Sequence, residues 1–326
     1  RVYFRYQFVA KKMFTGYEHF IGGVAGGLTS TAICHPFDLL KVRFSANEGS
    51  ALRPQYTSYW DATHSIFAAN GMRGLYRGLS AAAIASPISW GLYFQFYDRI
   101  RAQLHTVPDW PIVDNLLAGS VTGALILSVT NPLWVCKTRM CLQYEVPPCA
   151  TTTAAAARTT TVVAGGDGAV AAHHYRGLAD CVRQTWRHDG FRGFYKGYVP
   201  GLFGTINGAV QFALYNWLKD WRCHARGIPR DSQLAPVDYL TFSISSKCMS
   251  TTITFPYQVL RTRLQDPFTH YTGTWDCFMR TLKREGPLGL YKGVLAGTVK
   301  QLPYSVITYI VYEQTRYAIR NMSTSE

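Results

Sequence analysis

Long purely apolar runs are missing from this sequence. A scan for about 20 consecutive apolar residues, the length a membrane helix needs, meets only weak spans. Mean hydropathy is −0.04 although apolar residues make up 48% of the chain. A membrane bundle lining an aqueous cavity has this composition, because one face of each helix is polar. A large soluble helical protein has it too. Acidic residues are also scarce, 19 Asp+Glu against 33 Lys+Arg, for a net charge of +14. That balance suits an anionic solute or an anionic lipid surface. It argues less for nucleic acid, because the bases recur at repeat positions and form no single patch. The eight cysteines contain no CxxC pair and no metal-ligand spacing. Cys34, Cys136 and Cys248 lie in apolar stretches, as small packing residues do in a reducing compartment. Paired carboxylates, a nucleophile with its base and a metal cluster are all lacking, so the expectation is no enzyme, no metal and no cofactor. Arg1 to Phe14 is basic and aromatic without the apolar core of a cleaved signal.

What is present is a repeat. A proline is followed two residues later by a polar or aromatic residue, and three further on by a base. The copies are Pro36-Phe37-Asp38-Leu39-Leu40-Lys41, Pro132-Leu133-Trp134-Val135-Cys136-Lys137 and Pro256-Tyr257-Gln258-Val259-Leu260-Arg261. Each proline stands in a helix-compatible stretch that it should kink. After each copy come Asn70-Gly71, Asp189-Gly190 or Glu285-Gly286, then the triplets Tyr76-Arg77-Gly78, Tyr195-Lys196-Gly197 and Tyr291-Lys292-Gly293. A second long apolar stretch follows each triplet. Each unit therefore reads as helix, loop with a short amphipathic helix, helix. The expected fold is all-α, with six transmembrane helices in three pseudo-threefold repeats. The expected boundaries are an extension 1–16, repeats 17–106, 112–222 and 236–320, and a tail 321–326. The excess length of the second repeat falls in an insertion at about 144–174, rich in Ala, Thr and Gly, which reads as a mobile loop. His173-His174 closes it as a solvated pair, and His35 reads as a packing residue.

Gly22-Gly23-Val24-Ala25-Gly26-Gly27 and Gly119-Ser120-Val121-Thr122-Gly123 offer small faces at which membrane helices approach closely. A dinucleotide loop is the rival for the first cluster, but no strand precedes it.

These motifs resemble the mitochondrial carrier family over roughly residues 17 to 318. Further stretches, among them Ser89-Trp90-Gly91-Leu92-Tyr93-Phe94 and Val199-Pro200-Gly201-Leu202-Phe203-Gly204-Thr205, resemble its folate/FAD carrier branch. Trp134 and Gln258 stand where the family usually has acids, a pair typical of the folate, FAD, NAD and pyrimidine-nucleotide carriers. The resemblance implies a multi-pass solute carrier of the inner mitochondrial membrane. It would move an anionic, ring-containing cofactor, folate or FAD, by alternating access. NAD or a pyrimidine nucleotide is the alternative, and a carrier-fold subunit of a larger membrane assembly is a further one.

The resemblance also implies residue roles. A matrix gate would pair Asp38 with Lys137, Trp134 with Arg261 and Gln258 with Lys41, braced by Gln265, with Ser45 and Cys141 in place of two further glutamines. A cytoplasmic-side gate would use Tyr97, Asp98 and Arg101, then Tyr215 and Lys219, then Tyr312, Glu313 and Arg316. Asn216 removes the acid of its middle copy. Seven residues after each triplet glycine lie the family's contact positions, Ala85, Gly204 and Lys300. Two lack bulk and one is cationic, which leaves room for a flat ring beside a single anchor for phosphate or carboxylate. Lys300 stands where that branch usually has Arg, and Ile84 where it has an aromatic. Ser89, Thr205, Asn207, Gly208 and Tyr304 surround the same level. Trp90, Phe94 and Phe203 could stack on a ring, and Lys247 is a second base within a membrane helix. Cardiolipin would bind at Arg77, Gly78, Lys196, Gly197, Lys292 and Gly293, where helix N-termini favour phosphate.

Overall fold

The computed structural model describes residues 2–48, 54, 56–103, 111–143, 160–163, 170–173, 175–227, 236–269 and 271–324. Its helices are α1 (Val2–Ala46), α2 (Tyr59–Leu75), α3 (Leu79–Gln103), α4 (Pro111–Cys141), α5 (Leu178–Gly193), α6 (Tyr198–Phe203), α7 (Asn207–Arg226), α8 (Pro236–Gln265), α9 (Thr274–Glu285) and α10 (Val294–Thr324). A 3₁₀ turn, Gly204–Ile206, joins α6 to α7, so these two act as one long helix. Six long helices result, in the order the repeats require, with α2, α5 and α9 as the short ones between them. The expected extension 1–16 continues α1 back to Val2. Among the described residues one segment, Leu117–Cys141 in α4, is long and apolar enough by itself to cross a membrane.

The insertion departs from the all-α expectation. Strands β1 (Thr160–Val163) and β2 (Val170–His173) pair antiparallel, with Thr160 opposite His173. Thr160, Thr161, Val162 and Val163 are β-branched, and three glycines lie between the strands in sequence, which is hairpin chemistry inside a low-complexity segment. His174 lies outside the described residues.

The short helices start by one device used three times. Asp61, Asp180 and Asp276 each accept the backbone N–H four residues earlier, from Thr57, Arg176 and Thr272, at 3.0 to 3.1 Å. A carboxylate there satisfies a donor left open at the helix start and suits the local dipole. Gly71, Gly190 and Gly286 then take φ of 61°, 62° and 70°, which L-residues rarely adopt, and turn the chain toward the triplet. Apolar clusters lie at this end of each repeat. Leu40 packs with Ala62 and Ile66, Cys136 with Cys181, and Leu260 with Cys277. Burial of these faces holds each short helix on the proline motif.

The long helices pair antiparallel. Along α1 and α10, Gly22 meets Tyr312, Gly26 meets Thr308 and Gly297 meets Lys41. A Cβ on Gly26 would fall 2.7 Å from the Thr308 carbonyl oxygen, so only glycine permits this approach. Ser30 and Thr308 hydroxyls bond at 2.6 Å beside it.

Candidate functional site

Each triplet glycine touches the motif base of the next repeat. A Cβ on Gly78 would lie 3.1 Å from the Lys137 carbonyl oxygen, one on Gly197 2.9 Å from that of Arg261, and one on Gly293 2.9 Å from that of Lys41. All three have positive φ, 83°, 74° and 90°. Repeats one, two and three therefore close a ring at the proline-motif end. Gly78, Gly197 and Gly293 are what let the backbones meet.

Inside that ring Asp38 holds Lys137 at 3.2 Å, as the resemblance implied. Lys41 donates to Gln258 Oε1, also as implied. The third expected contact is corrected. Lys137 lies over the Trp134 ring, 5.2 Å from its centroid, on the same helix. Arg261 instead donates to Asn131 Oδ1 at 3.3 Å. A base three residues along a helix shares the face of the indole, whereas Asn131 offers Arg261 an oxygen acceptor across the seam. At the bracing positions Ser45 donates to the Lys292 carbonyl at 3.0 Å, Cys141 to that of Arg77 at 3.5 Å, and Gln265 accepts from Thr138 at 2.7 Å.

Three further arginines complete this end and lie outside both the proline motif and the triplet. Arg43, Arg139 and Arg263 follow the motif bases by two residues and are buried. Arg139 bonds Asp189 at 2.6 Å and Arg263 bonds Glu285 at 2.8 Å. The triplet bases take the same acids, Lys196 on Asp189 and Lys292 on Glu285, each at 2.9 Å. Burial opposes charge on Glu285 and Asp189. The bonds from Lys292 and Arg263, and from Lys196 and Arg139, outweigh it and hold both carboxyls below the usual range. The first repeat has Asn70 at this position. Arg77 donates to it at 3.3 Å, while Arg43 reaches the carbonyls of Cys141 and Gln143. The bases proposed from sequence for lipid phosphate are thus already engaged by protein acceptors. His35 is buried and bonds the Arg77 carbonyl at 2.8 Å, a packing role as expected.

Above the ring two recesses stand out among the described residues. A polar recess of 280 Å³ has the ring as its floor, and Asn207, Lys247, Thr251, Tyr257 and Gln301 on its walls. An aromatic recess of 470 Å³ lies between α3, α4 and α7. Tyr93, Tyr97 and Phe212 wall it, and Gly119, Gly123, Gly208 and Arg101 complete its lining. Tyr93 and Tyr97 stack at 5.5 Å. Consecutive residues of α7 border them, Asn207 the polar one and Gly208 the aromatic one.

The three contact positions do not form the expected open level. Ala85 is fully buried, and the Tyr257 ring would lie 2.8 Å from a Cβ on Gly204, so that space is already filled. Lys300 is not free. It bonds Asp38 at 2.7 Å and lies 5.1 Å from the Tyr304 ring centroid. Ser89 turns back to the Ala85 carbonyl. Thr205 and Gly208 line the aromatic recess, and Asn207 donates to Thr254 at 2.6 Å. Phe203 is exposed. The side chains of Trp90, Phe94 and Asp98 lie outside the described residues. Of the outer motifs, Tyr97 and Arg101 line the aromatic recess, and Tyr215 packs against Cys223 and Phe242. Lys219 is half-buried, Tyr312 meets Gly22, and Glu313 pairs with Arg316 of its own helix at 3.8 Å. Lys247, given no firm role from sequence, could have been found by register. It stands nine residues before Pro256, where Gly27 and Gly123 precede the other two motif prolines.

Residues 12–107, 109–225 and 232–323 each match the family described as Mitochondrial carrier protein. Similar proteins include Folate transporter 1, chloroplastic, of Arabidopsis thaliana, 32% identical over 95% of this chain and 98% of that one. Mitochondrial FAD carrier protein FLX1 of Saccharomyces cerevisiae is 30% identical over 92% of this chain and 96% of its own. Mitochondrial nicotinamide adenine dinucleotide transporter 1 of the same yeast is 30% identical over 93% of this chain and 77% of its own. With three matched repeats covering nearly its whole length, this chain belongs to the mitochondrial carrier protein family.

Proposed function

We propose that this protein is a six-helix carrier of the inner mitochondrial membrane that moves an anionic, ring-containing cofactor, folate or FAD, by alternating access. The observation that carries this reading is the pair of recesses. An aromatic recess and a cation-lined recess are bordered by consecutive residues of α7, and the second has the proline-motif ring as its floor. A flat heteroaromatic ring suits the first and a phosphate or carboxylate the second. The outer surface fits a bilayer. Leu117, Val121, Leu125 and Val129 lie four apart on α4 and are all exposed, while Thr122, Thr130 and Asn131 of the same helix are buried. A polar interior under an apolar exterior is what lipid requires of a bundle around water. Six spans return both termini to one side, the intermembrane space, and put the insertion in the matrix.

Alternating access follows from the ring. While Asp38–Lys137 and Lys41–Gln258 are formed the proline-motif end is shut, and the solute exchanges with the other side. Breaking them opens this end. Relatives named as NAD transporters favour NAD as the second substrate, through the same recesses.

Uptake by liposomes reconstituted with the purified protein tests the proposal, with labelled folate, FAD, NAD and UTP as the panel. We expect saturable uptake of folate or FAD. Uptake of none of the four would overturn the carrier reading in favour of a structural subunit.

A further inference from the structure

We propose that Lys247 is the anchor for the anionic group of the transported solute, a phosphate or carboxylate; this rests on the carrier reading above. The bases of the closed end already have partners. Lys137 and Lys300 share Asp38, Lys41 has Gln258, and Arg261 has Asn131. Lys247 differs in place. It stands on the wall of the polar recess and takes no part in the ring. Its ammonium donates to the neutral Gln211 Oε1 at 3.0 Å, and among the described residues no carboxylate pairs with it. An ammonium has three donors, so two remain for a ligand. A cation held inside a membrane bundle without a counter-ion is costly, and an anion arriving there recovers that cost. The recess around it is equipped for oxygen ligands, since Asn207, Thr251 and Gln301 line the same space.

Register adds a second argument. Gly27, Gly123 and Lys247 occupy equivalent positions ahead of their motif prolines. Gly123 lines the aromatic recess, and a Cβ on Gly27 would meet nothing within 4 Å. Equivalent positions in the second and third repeats thus carry a glycine on the lining of the aromatic recess and an ammonium on that of the polar one. That is the polarity of a molecule with a flat ring at one end and an anion at the other. Lys300 is the alternative anchor, but its bond to Asp38 ties it to the closed ring.

Two variants test the anchor. Lys247→Met keeps length and removes charge. Gln211→Glu keeps Lys247 and gives it a fixed carboxylate. Both should raise the KM for FAD or folate uptake on the order of ten- to a hundred-fold, the loss of a charge-assisted bond. Lys247→Arg should retain most of the uptake. A wild-type KM in either Lys247→Met or Gln211→Glu would overturn the anchor. Pyrophosphate, used as a bare anion probe in thermal melts, separates this inference from the carrier reading. If pyrophosphate raises the melting temperature of the wild type but not of Gln211→Glu, the anchor stands even where no cofactor is transported. Equal stabilisation of both proteins would sink it.

Discussion

Asp38 carries more at the residue scale than its motif suggests. It is the acceptor for lysines from two other repeats, Lys137 and Lys300, with its side chain 11% exposed. Removing its charge leaves two ammonium groups without a counter-ion in a largely buried place. Asp38→Asn should therefore destabilise the closed protein by about 3 kcal/mol, the low end for breaking a buried pair. Lys300→Ala should cost clearly less, because Asp38 keeps Lys137. Thermal melts of both variants in one detergent check this, and equal losses would contradict the shared-acceptor picture. The motif spacing made Asp38, Lys137, Lys41 and Gln258 legible, because a fixed offset in each repeat puts them at one depth. Lys300 was legible as a base facing inward. Its partner was not, since that depends on how far the Asp38 side chain reaches across the axis.

At the scale of the element, the short helices are fastened by Arg–acid–Lys clusters in two repeats and by an amide in the first. Glu285 is the most enclosed of these acids, 9% exposed, and its carboxyl is held below the ordinary range. A depressed folded value means the contribution is complete above the unfolded value, about 4.3, and is lost as pH falls through the folded one. Below about pH 4 the amides of α9 should exchange faster, and Glu285→Gln should remove that acid step. An unchanged step in Glu285→Gln would assign it to another group. The positions of α2, α5 and α9 were readable from the Asn-Gly, Asp-Gly and Glu-Gly signals and the triplets. The buried arginines were not singled out, because a base two residues past a motif looks like any solvated base until Asp189 and Glu285 are seen to face it. The hairpin at Thr160–His173 escaped for the opposite reason, since its composition outweighed its β-branched run.

For the whole molecule the three seams are unequal. Repeats one and two are joined by Asp38–Lys137 and by Arg43 on the carbonyls of Cys141 and Gln143. Repeats three and one are joined by Lys41–Gln258, by Arg263 on the Ser45 carbonyl, by Lys292 on that of Asn47, and by Tyr271 on Glu48. At the proline-motif end the described side-chain bonds between repeats two and three are Arg261–Asn131 and Thr138–Gln265, both to neutral acceptors, while farther out Asn207 bonds Thr254, Lys247 bonds Gln211 and Arg222 pairs with Asp238. Neutral acceptors make weaker partners than charged ones. Opening should start at this seam, so the amides around Gly197 should exchange before those around Gly78 and Gly293 when solute is added. Simultaneous exchange at all three would show a symmetric opening.

Trp134, standing where a carboxylate would complete the third pair, therefore shapes the aperture as well as the strength of the closure. On the proposed alternating-access cycle, two firm joints and one soft one would make a pair of leaves hung on the first repeat, parting along a slit. A slit passes a planar solute edge-on and turns away a globular one of equal mass.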